Sequence, residues 1–373
     1  MNTEIIEKIE STIVDLPLKR IHKFATTTIN CKSFIIVQIH TKNGLVGIGE
    51  ATTPGGPWWA GEAVETIKVM IDNYLAPALI GENALQINTL LRKMDCLAAK
   101  NTFSKAALEI ALFDIKGKAL GVPIYELFGG LTRESMPLKW PLAQGDVKAD
   151  LEEAEKLMSS NIAQEFKVKL GYMSPSDDVN YVSELCKVLN GKATLCGDSN
   201  ATWSELTTLK YLPALAGHGM DMLEQPVASW NRTALARIRK ASTIPILADE
   251  SICTPQDLNE INRLHAADML SLKMFKHGGL TRTHQIAQIA AASGISCYAG
   301  TFLESSIGTA AFMQLLAAQD NIDGGNELVG PIWLADDIVE EPVQYHDNHI
   351  WVKHKPGLGV TLDQDKLSHY QRV

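Results

Sequence analysis

The sequence predicts an α/β protein in which a parallel β/α barrel follows an N-terminal α+β unit. Three observations carry that reading. The run Phe166-Lys167-Val168-Lys169-Leu170-Gly171 sets two lysines two positions apart in an apolar stretch, so on a strand both point to one face. Starting from Lys169, the residues Asp198, Glu224, Asp249 and Lys273 each close a short apolar run, at steps of 29, 26, 25 and 24 residues. A βα unit of a parallel barrel takes about 30 residues, and functional side chains of such a barrel gather where its strands end. Before this beat begins, strand-like segments give way to helical ones, the order of an α+β unit.

The elements follow in chain order. Residues 34–40 and 45–50 read as strands flanking Asn43-Gly44, a hairpin signal because both residues tolerate positive φ. Pro54-Gly55-Gly56-Pro57-Trp58-Trp59 is too rich in Gly and Pro for a regular element. Its tryptophans suit a loop that covers a ligand and excludes water, with Trp59 a candidate contact; a packing or subunit-contact loop is the alternative. Helical spacing opens near residue 62, and residues 103–120 form a helix stopped by Gly121 and Pro123. Leu138–Leu142 is the first barrel strand, and residues 147–160 form a helix with Asp146 as N-cap. Further runs at 295–301 and up to 327–331 continue the beat, and 343–362 is extended. The expected domains are 1–130 (α+β), 131–340 (barrel) and 341–373, a tail returning to the first unit.

Composition narrows the function. With 373 residues the chain is long enough for a barrel and a second unit, and a net charge of −9 argues against nucleic acid as a partner. The six cysteines include no C-x-x-C pair, consistent with a reduced cytoplasmic chain. The start from Met1 and Asn2 lacks an apolar signal region, and no apolar run approaches a membrane span.

Asp198, Glu224 and Asp249 are hard oxygen donors from three successive strand ends, without a neighbouring Cys or His, which favours Mg²⁺ or Mn²⁺ over zinc. Asn200 and Glu250 are candidate partners that orient those ligands. Taken singly, each carboxylate reads as a helix cap or ion-pair partner; the periodic placement raises the set above that. Lysines inside a barrel need a partner or a function. Beside a divalent cation a lysine's pKa falls and it exchanges protons near neutral pH. Lysine, metal and a carboxylate substrate together describe proton transfer α to a carboxylate. The bland alternative is a solvated rim where Lys167 and Lys169 pair with Asp198 or Glu224.

Lys167-Val168-Lys169, the Asp198/Glu224/Asp249 trio and Lys273 resemble the enolase superfamily in its muconate cycloisomerase-like branch. Val46–Thr53, Asn101-Thr102-Phe103, Leu223–Pro226, Ala248–Ser251, Gly300-Thr301 and Pro356–Gly359 extend the resemblance over nearly the whole chain. It implies a modified (β/α)7β barrel of the TIM type under an α+β capping domain, and a divalent metal, typically Mn²⁺, on Asp198, Glu224 and Asp249. Lys169 would be the acid/base, Lys167 its electrostatic support, Lys273 the group on the opposite substrate face, and Glu327 the residue described as proton donor. Trp59 and Thr301 would stand on the substrate side. The implied reaction closes muconate or a chloromuconate to a lactone through an enediolate, in aromatic catabolism, within a homo-oligomer, an octamer. Dipeptide epimerases and o-succinylbenzoate synthases share the machinery, but an epimerase should carry an Asp-x-Asp pair where this chain has Asn326-Glu327-Leu328. Two departures stand out: Gly197 and Ser199 flank Asp198 and should weaken that strand, and Gln144 replaces an expected serine.

Overall fold

The computed structural model describes residues 3–23 and 28–372; Met1 and Asn2, where a signal region would begin, lie outside them. The chain opens with an antiparallel sheet in the order β1 (Ile6–Lys23), β2 (Thr28–Thr41), β3 (Val46–Thr52). The β2–β3 turn differs from a two-residue hairpin. Only Gly44 has positive φ (+87°), and Thr41 N–H bonds to Leu45 O across a wider loop. Four helices follow: α1 (Val64–Met70), α2 (Ala76–Leu79), α3 (Ile87–Leu97) and α4 (Thr102–Leu120). Nearly every face of α4 is apolar, so it is buried rather than laid on a surface. Gly47 and Gly49 of β3 make room for it: a Cβ on Gly49 would fall 2.0 Å from Ala107 O, and one on Gly47 2.2 Å from Ala111 O.

After β4 (Ser135–Pro137) strands and helices alternate, with two helices in succession only after β10: β5 (Lys139–Leu142), α5 (Val147–Ser159), β6 (Glu165–Lys169), α6 (Pro175–Leu189), β7 (Thr194–Asp198), α7 (Glu205–His218), β8 (Met222–Glu224), α8 (Arg232–Ala241), β9 (Ile246–Ala248), α9 (Pro255–Leu264), β10 (Met269–Leu272), α10 (Met274–His277), α11 (Leu280–Ala292), β11 (Ser296–Ala299) and α12 (Ser306–Leu316). The seven strands β5 to β11 form one parallel sheet in sequence order. Its strands are short and largely buried, as expected where helices cover one side and a packed interior the other, and that interior also takes in Lys139, Lys167, Asp198 and Glu224. Asn326 bridges to Ala299 at one edge and to Leu138 at the other, so the sheet curls round on itself. Helices α5, α6, α7 and α9 start on side-chain caps: Asp146 accepts from Ala149 N–H, Ser174 from Asp177, Ser204 from Thr207 and Thr254 from Asp257. Gly197 does not interrupt β7, which pairs without a break with β6 and β8; Met220 Cε would lie 2.6 Å from a Cβ there.

The chain ends with α13 (Gly330–Trp333), β12 (Gln344–His346), β13 (His349–Trp351) and α14 (Gln364–Tyr370). β13 pairs with β4, whereas the segment after α14 lies along β1, with Arg372 Nη2 2.6 Å from Asp15 Oδ1. No helix among the described residues is long and apolar enough to cross a membrane.

Candidate active site at the strand ends

The beat of the sequence is a row of strand ends. Lys169, Asp198 and Glu224 are the last residues of β6, β7 and β8, and are paired in register. Asp249 and Lys273 stand one residue beyond β9 and β10. All five side chains come together in ion pairs. Lys169 Nζ donates to Asp198 Oδ2 (2.7 Å) and to Asn200 Oδ1 (3.2 Å). Lys167 Nζ lies 2.6 Å from Glu224 Oε2 and 2.6 Å from Glu327 Oε2. Lys273 Nζ donates to Asp249 Oδ2 at 2.6 Å. Asn200, held at a left-handed φ of +42°, ties Asp198 to the next layer: its N–H reaches Asp198 Oδ1 (2.9 Å) and its amide reaches Glu250 Oε1 (3.3 Å).

Three functional-looking residues escaped the sequence reading. Lys276, buried on α10, donates to Asp249 Oδ1 (2.7 Å), Asp249 O (2.8 Å) and Ser271 O (2.7 Å). Tyr298 on β11 donates to Glu327 Oε2 (3.0 Å) while Lys167 Nζ sits 4.5 Å over its ring. Gln225, at φ +33°, accepts the N–H groups of Asp249 and Ser251 and so fixes the β9 exit. A lysine three places after Lys273 was the only available hint of Lys276.

Trp59 reaches the same mouth from the N-terminal unit. Its ring meets Phe302 edge-on at 4.8 Å, and Lys273 Nζ is 5.2 Å from each of the two rings. Thr301 is not brought to the ion pairs; its hydroxyl is bound to Glu304 Oε2 at 2.5 Å. A cavity of about 200 Å³ opens beside Lys169, lined by Leu142, Ala143, Gln144, Gly145, Tyr172, Met173 and Tyr181. Gln144, at the cavity wall, donates its amide to Ala149 O and Glu153 Oε2. A larger cleft of about 860 Å³ lies at the opposite ends of the strands, against Pro245 and Asp268, and touches none of these groups.

Electrostatics follow from the pairing. Burial alone would lower the lysines' pKa values, but Asp198 outweighs it for Lys169, and Glu224 and Glu327 for Lys167, so both are raised. That is opposite to the direction expected beside a metal cation, because here carboxylates are the nearest charges. Burial pushes Asp198 and Asp249 up, yet Lys169 holds the first and Lys273 and Lys276 the second below the usual range. Burial leaves Glu224 raised, and pushes Glu250 up to about 8 with the help of Asp249 and Asp198.

Whether the trio suits a divalent cation can be tested on its atoms. Among the described residues no three His, Cys, Asp or Glu side chains are gathered tightly enough to hold an ion, and Asp198 and Asp249 are paired with lysines instead. The donor chemistry nevertheless fits. Three carboxylates stand on adjacent strand ends, and both Glu224 oxygens are buried without a hydrogen bond, Lys167 being close to one but poorly aligned.

Comparison with known proteins decides the family. The description "Mandelate racemase / muconate lactonizing enzyme, N-terminal domain" matches residues 8–129, and "Enolase C-terminal domain-like" matches residues 149–366. The chain belongs to the mandelate racemase/muconate lactonizing enzyme family. Among its relatives are a chloromuconate cycloisomerase of Cupriavidus pinatubonensis, 41% identical over 97% of both chains, and muconate cycloisomerase 1 of Rhodococcus opacus, 38% identical over 98% of both. A muconate lactonizing enzyme from Pseudomonas fluorescens, solved with muconolactone, superposes with a TM-score of 0.97 at 38% identity over the full length of both. The 2-chloromuconate cycloisomerase of Rhodococcus opacus 1CP gives 0.97 at 39% identity, covering 99% of this chain and 100% of that one.

Proposed function

We propose that this member of the family is an isomerase, a muconate cycloisomerase that closes cis,cis-muconate or a chloromuconate to a muconolactone. The observation that carries the reading is the pair Lys169 and Lys273, at the ends of β6 and β10 across the curled sheet, each bound to a carboxylate of the strand-end trio. We read the sheet as a modified (β/α)7β barrel, with residues 325–327 standing for the eighth strand, residues 1–130 as its cap, and residues 341–373 as the returning tail.

In this mechanism one substrate carboxylate oxygen adds to the far double bond and forms the lactone C–O bond. The electron pair of the conjugated diene shifts toward the other carboxylate, as an enediolate. Lys169, the group beside the open cavity, delivers a proton to the α-carbon and recovers it from water, so the dianionic substrate plus one proton gives the monoanionic lactone. Lys167, kept charged between Glu224 and Glu327, adds positive potential to the same region. Glu327 is held ionised by Lys167 and Lys169 although burial opposes it, so it accepts rather than donates in this state. Asp198, Glu224 and Asp249 would hold a divalent cation, Mn²⁺ with Mg²⁺ as the alternative, which when bound supplies positive charge for the enediolate. Lys273 stands with Trp59 on the other face, and Asn200 and Glu250 brace Asp198. On the same reading the enzyme works in the cytoplasm as a homo-oligomer, an octamer, in the breakdown of aromatic ring-cleavage products.

The test is loss of conjugated-diene absorbance when chelator-stripped protein meets cis,cis-muconate, with and without Mn²⁺. Metal-dependent loss that vanishes in Lys169→Ala is expected, and repeating it with chloromuconates sets the substrate preference. Retained turnover in Lys169→Ala would overturn the assignment of the acid.

A further inference from the structure

The N-terminal unit and the barrel meet where β3 and α4 pack on α10, α11 and α12. Two barrel connections run along this seam. Residues 273–279 carry Lys273 and Lys276; residues 300–305 carry Thr301 and Phe302. Each leads directly into a long helix, and each helix is met at its start by a fully buried glutamate of the other unit.

Helix α11 begins at Gly279, an N-cap without a side chain to take its first N–H groups. Glu109, halfway along α4, supplies the acceptor: its Oε1 takes the Thr281 N–H at 3.1 Å. The backbone is shaped around that carboxyl, because Gly279 has φ +118° and a Cβ there would fall 1.6 Å from Glu109 Oε2. At α12, Glu50 of β3 uses both oxygens. Oε1 accepts from Ser305 N–H (3.0 Å), and Oε2 from Gly308 N–H (3.2 Å) and from the Ser305 hydroxyl. Phe103 of α4 touches the rings of both Phe275 and Phe302, so the two connections share one support.

Burial pushes both carboxyls up, Glu109 to about 7 and Glu50 to about 8. Placing them there opposes stability relative to an apolar contact of the same shape. Their hydrogen bonds fix a register that apolar contact would leave free to slide.

We propose that Glu109 and Glu50 are positioning residues of the reaction: reaching across the seam, Glu109 sets the Lys273–Lys276 connection and Glu50 sets the Thr301–Phe302 connection. The kinetic part rests on the cycloisomerase reading; the mechanical part does not.

The two sites differ in a way that makes the idea sharp. Glu109 uses one oxygen, which a glutamine oxygen reproduces. Glu50 uses both, so a glutamine there turns an NH₂ toward N–H donors. Glu109→Asp withdraws the acceptor by about 1.5 Å, one C–C bond. Amide hydrogen exchange read by mass spectrometry on the full-length protein, together with kcat/KM for cis,cis-muconate, tests this. In Glu109→Asp, exchange across 273–283 should accelerate at least tenfold and kcat/KM fall by about 10- to 100-fold. Glu50→Gln should do the same across 300–309, while Glu109→Gln stays within about threefold of the parent in both readouts, the tolerance we allow for a conserved contact. Thr281→Pro, which deletes the donated N–H in the first turn of α11, where no intrahelical bond is lost, replaces Glu109→Asp if that variant does not fold. Parental exchange in these segments, exchange raised evenly over the whole chain, or local acceleration with unchanged kcat/KM would each overturn the proposal. If the parent protein does not turn over muconate, the function reading fails, and exchange alone still decides whether the glutamates hold the connections.

Discussion

Replacing Lys276 by methionine probes the strand-end lattice at the residue the sequence concealed. Lys276 is 2% exposed, and its ammonium meets three oxygens at 2.7–2.8 Å: Asp249 Oδ1, Asp249 O and Ser271 O. Methionine fills the same unbranched path but leaves all three acceptors facing a thioether. Removing one partner of a buried ion pair costs about 3–5 kcal/mol, because the remaining charge stays desolvated. Asp249 keeps Lys273 on its other oxygen at 2.6 Å, which places the expected loss at the low end, about 3 kcal/mol.

Urea unfolding of chelator-treated protein measures that loss directly. The same experiment with Mn²⁺ has an opposite expectation, since an Asp249 oxygen released from Lys276 is a better ligand. The variant should therefore gain more stability from the ion than the parent does. A loss below about 1 kcal/mol, the worth of an exposed pair, would show that Lys276 does not neutralise Asp249 and would refute the lattice reasoning.

Two further outcomes follow from the seam and the mouth. Glu109 has a folded pKa of about 7 against an ordinary 4.5, so the folded state holds its proton longer than the unfolded chain. Its contribution is present below the unfolded value and lost as pH rises through 7; relative to Glu109→Gln, parent stability should fall by about 3 kcal/mol between pH 4 and pH 9, read by urea midpoints. A pH-independent difference would mean Glu109 does not titrate in that window. Trp59→Ala removes one of two rings within 5.2 Å of Lys273, worth about 1 kcal/mol, so kcat/KM should drop about fivefold with an unchanged thermal midpoint; no change would leave Trp59 a packing residue.

The legible part of this molecule was whatever depends on spacing along the chain. A βα unit has a nearly fixed length, so Lys169, Asp198, Glu224, Asp249 and Lys273 announced strand ends and then stood on them, to within one residue. Local chemistry was equally readable at Asp146, which caps α5, and at Gly121, which ends α4 at φ +70°. What could not be read depends on contacts between distant segments. Glu109 meets Thr281 across 172 positions and Glu50 meets Ser305 across 255, and neither glutamate differs locally from a surface residue of a helix or strand. Gly197 suggested a weakened strand, but it answers to Met220, twenty-three residues on. Asn43-Gly44 signalled the hairpin that β2 and β3 form, and of the two residues only Gly44 takes a positive φ. Lys276 and Tyr298 do not close an apolar run, because a helix turn and a strand interior, not a strand end, aim them inward.

The charges of the mouth also constrain how ligands enter it. Asp198, Glu224, Asp249 and Glu327 face Lys167, Lys273 and Lys276 in a buried space, with Lys169 and Glu250 half-buried at its edge. Burial, Asp249 and Asp198 push Glu250 up to about 8, and the remaining four carboxylates balance the four ammonium groups. A divalent cation alone would add two positive charges to this set and compete with ammonium groups for Asp198 and Asp249. A dicarboxylate alone would add two negative ones. Entering together they leave the balance unchanged, and in a site of low dielectric that difference is large. Each should therefore strengthen the other, by the same factor in both directions, about 5- to 150-fold for a coupling of 1–3 kcal/mol. Calorimetric titration of Mn²⁺ with and without saturating adipate, a dicarboxylate that cannot react, measures the factor from one side, and titration of adipate with and without Mn²⁺ measures it from the other. Affinities that ignore each other would mean that protons, not ligand pairing, keep the mouth neutral.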